Sequence, residues 1–199
     1  MNSSEIPYSR VLTQAKQSDD SVADFLRQEL MYFWEDAYLA ASGRPSEVIL
    51  FTYGSFDYLY DTYQQPESYD PKSGIPPVEA RLIAAVGLSK QKRAKRDDGR
   101  LRGLTVSPML NTAGPWDRGH FIGHSIGGRV DGNEANVFVQ MRSANRGRYR
   151  VLETYCSKRP GTLCFSRPVY IDTSAHPSQV EFGILKPDGD LWLEVVLNR

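Results

Sequence analysis

The 199-residue chain lacks the features that mark several protein classes. It has only two cysteines, which excludes a scaffold built on disulfides. No apolar run approaches the ~20 residues that a membrane helix needs, so no membrane partner is expected. Its first residues, MNSSEIPYSR, show no basic stretch followed by an apolar core, and therefore no secretory signal peptide. These absences predict a cytoplasmic protein, with export by a signal-independent route as the alternative.

The chain also has no net charge, but its charges are unevenly distributed. Residues 1–80 contain 5 Lys or Arg and 13 Asp or Glu, whereas residues 81–199 contain 19 and 11. A basic half is typical of proteins with a polyanionic partner. The acidic half fits a solvated face, a surface for a protein partner or a lid over the basic half.

Hydrophobic patterns predict helices in the first half of the chain and strands at its end. A helix is expected over residues 21–42, with Ser21 as N-cap and Gly43 at its end. Residues 47–53 predict a buried strand, and the acidic, aromatic stretch FDYLYDTYQQ after it is interpreted as a short helix or an irregular segment. Residues 78–87 fit either a helix or a strand.

The last third of the chain alternates between apolar and polar residues. A strand is predicted over residues 163–172, in which Pro168 is typical of a strand at a sheet edge. Two further strands, 179–186 and 190–197, flank a Pro-Asp-Gly turn and predict a hairpin. A proline-rich loop over residues 64–77 marks a soft boundary.

Residues 116–153 contain the side chains suited to catalysis. His120 follows Asp117 and Arg118, and a histidine that binds no metal suits a general base. Asn145 and Glu153 are eight residues apart, which on a helix places both on nearly one side. An amide oxygen beside a carboxylate suits a hard cation such as Mg²⁺. Arginines are concentrated in the same stretch, at positions 118, 129, 142, 146, 148 and 150. A guanidinium group can donate two parallel hydrogen bonds to the oxygens of one phosphate.

The same residues resemble the DNA/RNA non-specific endonucleases, a family of ββα-metal (His-Me finger) nucleases. The DRGH motif of that family corresponds to residues 117–120. Its downstream pattern is matched at Asn136, Gln140, Asn145, Gly147, Tyr149, Leu152 and Glu153. Val139 stands where the family has a proline. The resemblance covers about 40 residues and implies an α+β fold, in which a mixed or antiparallel central sheet is flanked by helices and carries a ββα-metal core.

The resemblance also implies a role for each matching residue. His120 would be the general base and Asn145 the direct metal ligand. Glu153 would act on the metal through water, and Arg118 would contact phosphate. Asn136 would hold the loop and help to orient His120. The supporting residues are Asp117 and Gln140, and the further candidates for nucleic-acid contact are Arg142, Arg146, Lys92 and Arg93.

The expected activity is metal-dependent, largely non-specific hydrolysis of DNA, RNA or both to 5′-phosphate and 3′-hydroxyl ends. The expected cofactor is Mg²⁺, with Mn²⁺ as the alternative. By analogy with small bacterial toxin nucleases, an inhibitor or immunity protein is a further expected partner. Residues 76–199 would form the nuclease domain, and residues 1–75 an acidic region of helix and strand packed on it.

Two other interpretations remain open at this point. The first is a catalytically silent nucleic-acid-binding module, although His120, Asn145 and Glu153 are all present. The second is a zinc site formed by two histidines and two cysteines, His120, His124, Cys156 and Cys164. The cysteines also fit two reduced core thiols or a disulfide.

Overall fold

The computed structural model describes residues 5–65, 77–91, 115–128 and 134–198. Its first elements are helices α1 (Tyr8–Ala15) and α2 (Val22–Ser42). A later helical segment comprises Arg142–Ala144, a π-helical turn at Asn145–Tyr149, and helix α3 (Arg150–Ser157). The described strands are β1 (Val48–Tyr53), β2 (Phe56–Asp61), β3 (Arg81–Leu88), β4 (Trp116–His120), β5 (Val137–Met141), β6 (Leu163–Val169), β7 (Gln179–Leu185) and β8 (Leu191–Leu197).

Helix α2 begins and ends as its sequence predicts. Oγ of Ser21 accepts a hydrogen bond from the Asp24 amide at 3.1 Å, which satisfies a free donor of the first turn. Gly43 adopts a positive φ of 59° and ends the helix. Helix α1, which was not predicted from the sequence, packs against α2.

Six strands form one antiparallel sheet in the order β1-β2-β3-β6-β7-β8. The predicted α+β architecture, a large antiparallel sheet flanked by helices, is confirmed. The hairpin of β7 and β8 is also confirmed, with Gly189 at the turn. The sheet spans the limit expected between residues 1–75 and 76–199, because β2 from the acidic region pairs directly with β3.

The two faces of this sheet carry different layers. Helices α1 and α2 cover one face, where Trp34 and Leu30 pack with Ile83 and Phe165. The β4–β5 hairpin and α3 cover the other face. Its core contains Phe56, Leu82, Phe121, Phe138, Tyr149, Leu152 and Phe182. Neighbouring residues of a strand point to opposite faces, so β3 contributes Leu82 to one core and Ile83 to the other.

Three sequence-based expectations about the strands need correction. Residues 47–53 do form a strand, but β1 lies at the edge of the sheet, and Leu50 is 61% exposed. The stretch after it is strand β2 rather than a helix or irregular segment, and residues 78–87 contribute β3. Strand β6 is internal rather than at an edge. Its pairing with β3 ends at Ser166, so Pro168 pairs only with β7 and removes no hydrogen bond on the other side.

Within the four described stretches, no helix combines the length and apolarity needed to cross a membrane.

Candidate active site

The DRGH residues lie at the end of strand β4, in a hairpin with β5. Asp117 is opposite Gln140, and His120 is opposite Val137. The helical segment that begins at Arg142 follows β5 immediately. The predicted order of strand, strand and helix around His120 is therefore confirmed.

His120 is nearly enclosed, with 8% of its surface exposed, and its Nε2 atom is buried. The backbone that follows it is held by Asn136, which is fully buried. Oδ1 of Asn136 accepts from the Ile122 amide and Nδ2 donates to the Ile122 carbonyl, both at 2.9 Å. The Phe121 amide donates to the Asn136 carbonyl at 3.0 Å. Asn136 thus fixes the chain directly after His120, as the resemblance implies for the loop.

Asp117 connects β4 to the helical segment that carries Asn145. Its carboxylate accepts hydrogen bonds from Asn145 Nδ2 at 3.2 Å, Arg146 Nε at 2.9 Å and Arg142 Nε at 3.1 Å. Partial burial acts to raise the pKa of Asp117, but the hydrogen bonds from Arg146, Asn145 and Arg142 outweigh it and lower the pKa below its ordinary value. The aspartate is therefore ionised and holds its three partners at neutral pH.

The helical segment is interrupted between Asn145 and Glu153. Gly147 lies in the π-helical turn with non-helical torsion angles, φ −98° and ψ −105°. The expectation that Asn145 and Glu153 lie on nearly one side of a regular helix is therefore wrong. Glycine has no Cβ, so this position tolerates backbone angles that break the helical repeat.

Tyr149 anchors the segment beyond the interruption. Its ring is buried against Phe138 and Phe182. Its hydroxyl lies 2.7 Å from the Ser166 hydroxyl and donates to the Phe121 carbonyl at 3.3 Å. Burial raises the pKa of Tyr149, so the hydroxyl stays protonated. Tyr149 thus ties the start of α3 to the loop after His120 and to the sheet.

Glu153 reaches the same loop from α3. A Cβ atom added to Gly123 would lie 2.0 Å from Oε1 of Glu153, so the carboxylate occupies the space that any side chain at 123 would need. Gly119 of the DRGH motif has a similar relationship with buried Gln140, whose Oε1 would be 2.2 Å from an added Cβ. Gly123 was not identified from the sequence. Its only local signal is its position three residues after His120.

The residues predicted to contact nucleic acid differ in whether they form ion pairs within the protein. Arg118 is exposed and makes no ion pair within the described part of the chain. Arg142 and Arg146 are also exposed at the surface, but both pair with Asp117. Lys92 and Arg93 lie outside the described residues.

The four-residue zinc site is not formed. Across the described ranges, no three His, Cys, Asp or Glu side chains come together in a group that could hold a metal. Cys156 and Cys164 are free thiols, buried in the core beneath α3. Of the two alternatives left open for these cysteines, the structure has the reduced core thiols.

The solved structures that are similar to parts of this chain include two nucleases. One, described as the structure of Sda1 nuclease with bound zinc ion, matches at 22% identity and a TM-score of 0.36, over 43% of this chain and 39% of that one. The other, an extracellular endonuclease, matches at 14% identity and a TM-score of 0.29, over 79% of this chain and 71% of that one. No family model and no curated protein matches the sequence.

Proposed function

We propose that the chain is a metal-dependent nuclease that hydrolyses phosphodiester bonds of DNA, RNA or both with little sequence preference. One observation carries the proposal: three of the motif's polar residues contact the short segment on either side of His120. Asn145 binds Asp117 before it, Asn136 holds Ile122 after it, and Glu153 packs against Gly123.

The oxygen atoms available near His120 fit Mg²⁺ better than a softer metal. Asn145 donates from Nδ2 to Asp117, which directs its amide nitrogen to the strand and leaves Oδ1 as the ligand atom. Glu153 supplies a carboxylate beside the same loop. Mg²⁺ prefers oxygen ligands and keeps several waters, so one amide oxygen and a carboxylate acting through water suffice. When bound, Mg²⁺ would stabilise negative charge that develops on the scissile phosphate.

His120 would remove the proton from the attacking water. A positioned base of this kind contributes roughly 10²–10⁴-fold to a rate. The hydrogen bonds between Asn136 and the backbone of residues 121–122 would keep the imidazole in place during the reaction.

The arginines would divide the contacts with the nucleic acid between them. Arg118, which has no carboxylate partner in the described structure, would contact a phosphate beside the scissile bond. Arg142 and Arg146 would provide further positive charge while they remain bound to Asp117. Contacts to phosphate carry no base information, which agrees with a low sequence preference.

The test is to incubate purified protein with supercoiled plasmid DNA and with single-stranded RNA, in Mg²⁺, Mn²⁺, Zn²⁺ or EDTA. We expect cleavage in Mg²⁺ and Mn²⁺ and none in EDTA. DNA ligase should rejoin the DNA products without prior phosphorylation, because their ends carry a 5′-phosphate and a 3′-hydroxyl. Binding without cleavage in every metal would instead favour the catalytically silent module.

A further inference from the structure

The β4–β5 hairpin forms a small sheet of its own, and among the described strands neither β4 nor β5 pairs with the six-stranded sheet. Asn136 holds the end of the hairpin at His120. At the opposite end Trp116 pairs with Met141, and the helical segment that carries Asn145 begins there. The attachment of this second end to the rest of the protein therefore decides where Asn145 lies.

The second end is attached by Asn198, which follows β8 directly and is 2% exposed. Its Oδ1 accepts a hydrogen bond from the Met141 amide at 2.7 Å, and its Nδ2 donates to the Val139 carbonyl at 2.9 Å. Nδ2 also donates to the Pro177 carbonyl at 3.0 Å, in the loop between β6 and β7. The backbone amide of Asn198 donates to the Ser178 carbonyl at 2.9 Å. One residue thus joins β5, β8 and that loop.

The carboxamide of Asn198 takes the place of a neighbouring strand at the outer edge of β5. Along β5 the backbone groups point alternately toward β4 and away from it. The Arg142 amide donates to the Pro115 carbonyl, which faces it across the hairpin. The N–H group of Met141 and the carbonyl of Val139 therefore point away from β4. The described residues offer them no hydrogen-bond partner besides Asn198, and buried polar groups without a partner destabilise a fold.

A ring contact fixes the same end of the hairpin from β4. The Trp116 ring packs edge-on against the His176 ring, with the centroids 5.1 Å apart and the planes at 88°. His176 directly precedes Pro177 in the loop that Asn198 binds. The start of β4 and the end of β5 are thus held against one loop, the first by ring packing and the second through the Asn198 carboxamide.

The interruption at Gly147 makes Asn145 dependent on this attachment. Tyr149 is buried in the core, but the helical repeat is broken between it and Asn145. The position of Asn145 is therefore set by the chain before it, and Met141 lies about one helical turn before it. A displacement of Met141 would move Asn145 relative to Asp117.

We propose that Asn198 is a positioning residue of the active site, which raises the affinity for the metal by fixing the start of the segment that carries Asn145. The inference rests on the proposed nuclease function, because it requires a metal at Asn145. Asn198 lies outside residues 116–153, and its side chain contacts the backbone of β5. Loss of that side chain should therefore weaken metal binding without removing a metal ligand or the base.

The first test follows amide hydrogen exchange by NMR and needs no metal. The Met141 amide should be protected in the unmodified protein although it points away from β4. In Asn198→Ala its exchange should accelerate by about tenfold, as expected for the loss of one hydrogen bond. The Gln140 amide, which faces β4, should exchange at an unchanged rate. Rapid exchange of the Met141 amide in the unmodified protein would show that Asn198 does not hold β5.

The second test measures Mn²⁺ binding by EPR, at a temperature at which every variant is folded. The Kd of Asn198→Ala should be about tenfold higher than that of the unmodified protein, because the ligand Asn145 is less well positioned. Tyr38→Phe is the matched control, because it removes buried hydrogen bonds with Asp61 and Arg81 on the other face of the sheet. It should lower the melting temperature and leave the Kd for Mn²⁺ unchanged.

Cleavage assays separate this role from a purely structural one. In Asn198→Ala the Mg²⁺ concentration for half-maximal cleavage should rise by about tenfold, and saturating Mg²⁺ should nearly restore the single-turnover rate. A lower rate at saturating Mg²⁺ with an unchanged half-maximal concentration would show that Asn198 does not act on the metal site.

The outcomes distinguish the positioning role from the nuclease function itself. An unmodified protein that neither binds Mn²⁺ nor cleaves nucleic acid would overturn both. If the unmodified protein does both, and folded Asn198→Ala binds Mn²⁺ equally tightly, only the positioning role is wrong. If Asn198→Ala does not fold, Asn198→Ser takes its place in all three measurements, because its hydroxyl can keep part of the hydrogen bonding.

Discussion

Asn145 donates a hydrogen bond to the carboxylate of Asp117 over 3.2 Å, which joins the helical segment to the strand that ends at His120. The same carboxylate also holds Arg142 and Arg146. Asp117 therefore fixes which way the Asn145 amide faces, and with it the position of the oxygen that would bind the metal. The resemblance implied only a supporting role for Asp117.

Replacing Asp117 tests this positioning role. Asp117→Asn keeps an acceptor oxygen but removes the charge that holds both arginines. The Mg²⁺ concentration for half-maximal cleavage should rise by roughly 10–100-fold, the usual effect of losing a partner of a metal ligand. Metal titrations of the cleavage rate measure this. Asp190→Asn, in the exposed β7–β8 turn, is the control and should leave the metal dependence unchanged.

His120→Ala tests the proposed base. Cleavage should fall by roughly 10²–10⁴-fold at saturating Mg²⁺, because the water loses its proton acceptor. Single-turnover rates and the melting temperature should be measured together, since His120 is nearly enclosed and its removal leaves a small cavity. A folded variant with near-normal rates would show that His120 is not the base.

Asn145→Ala and Glu153→Gln separate a direct metal ligand from one that acts through water. The first should raise the Mg²⁺ requirement more than the second, because only the first loses an oxygen bound to the metal. The rate as a function of Mg²⁺ gives the comparison. An unchanged requirement in Asn145→Ala would place the metal elsewhere.

Gly123→Ala tests whether the Glu153 carboxylate must lie against the loop. The new methyl group would lie 2.0 Å from Oε1 of Glu153, so one of them has to move. The cleavage rate should decrease about as much as in Glu153→Gln. The protein with both substitutions should cleave only slightly more slowly than either single variant. Ser125→Ala, at an exposed position of the same loop, serves as the control.

Asp61 is expected to dominate the acid sensitivity of the fold. Burial acts to raise its pKa, but hydrogen bonds from Tyr38, Arg44 and two backbone amides lower it below the ordinary value. The ionised Asp61 carboxylate therefore stabilises the fold fully above about pH 3.9, the pKa of Asp in the unfolded chain. This stabilisation is lost as the pH falls through the lower pKa that Asp61 has in the folded protein. Asp61→Asn should lower the free energy of unfolding, measured with urea at pH 7, by about 3–5 kcal/mol. The difference between the variant and the unmodified protein should become smaller at acid pH.

The ion-pair partners of two aspartates explain why strand β2 was not predicted from the sequence. Because it contains Asp57 and Asp61, the β2 sequence was interpreted as a short helix or an irregular segment and not as a strand. Both are paired with arginines from elsewhere, Arg27 on α2 and Arg44 after it. A local pattern cannot show such partners. Helix α2 was predictable because its cap and its apolar period are both encoded within the segment itself.

Residue type and spacing indicated the members of the candidate site, but not the contacts between them. The motif identified His120, Asn136, Asn145 and Glu153, and the structure gathers them around one hairpin. The interruption at Gly147 was not predicted, because helical periodicity assumes an unbroken backbone. The role of Asp117 depends on a contact between residues 28 positions apart, which no short pattern encodes.

The direct pairing of β2 with β3 limits how this protein can be divided. A fragment that began at residue 76 would keep every motif residue, yet it would expose the unpaired outer edge of β3 and the apolar face that Trp34 and Leu30 cover. Open edges of this kind recruit other chains and aggregate. The acidic region is therefore a poor candidate for removal in engineering, and a cut suitable for transplanting the β4–β5 hairpin does not lie at the proline-rich loop.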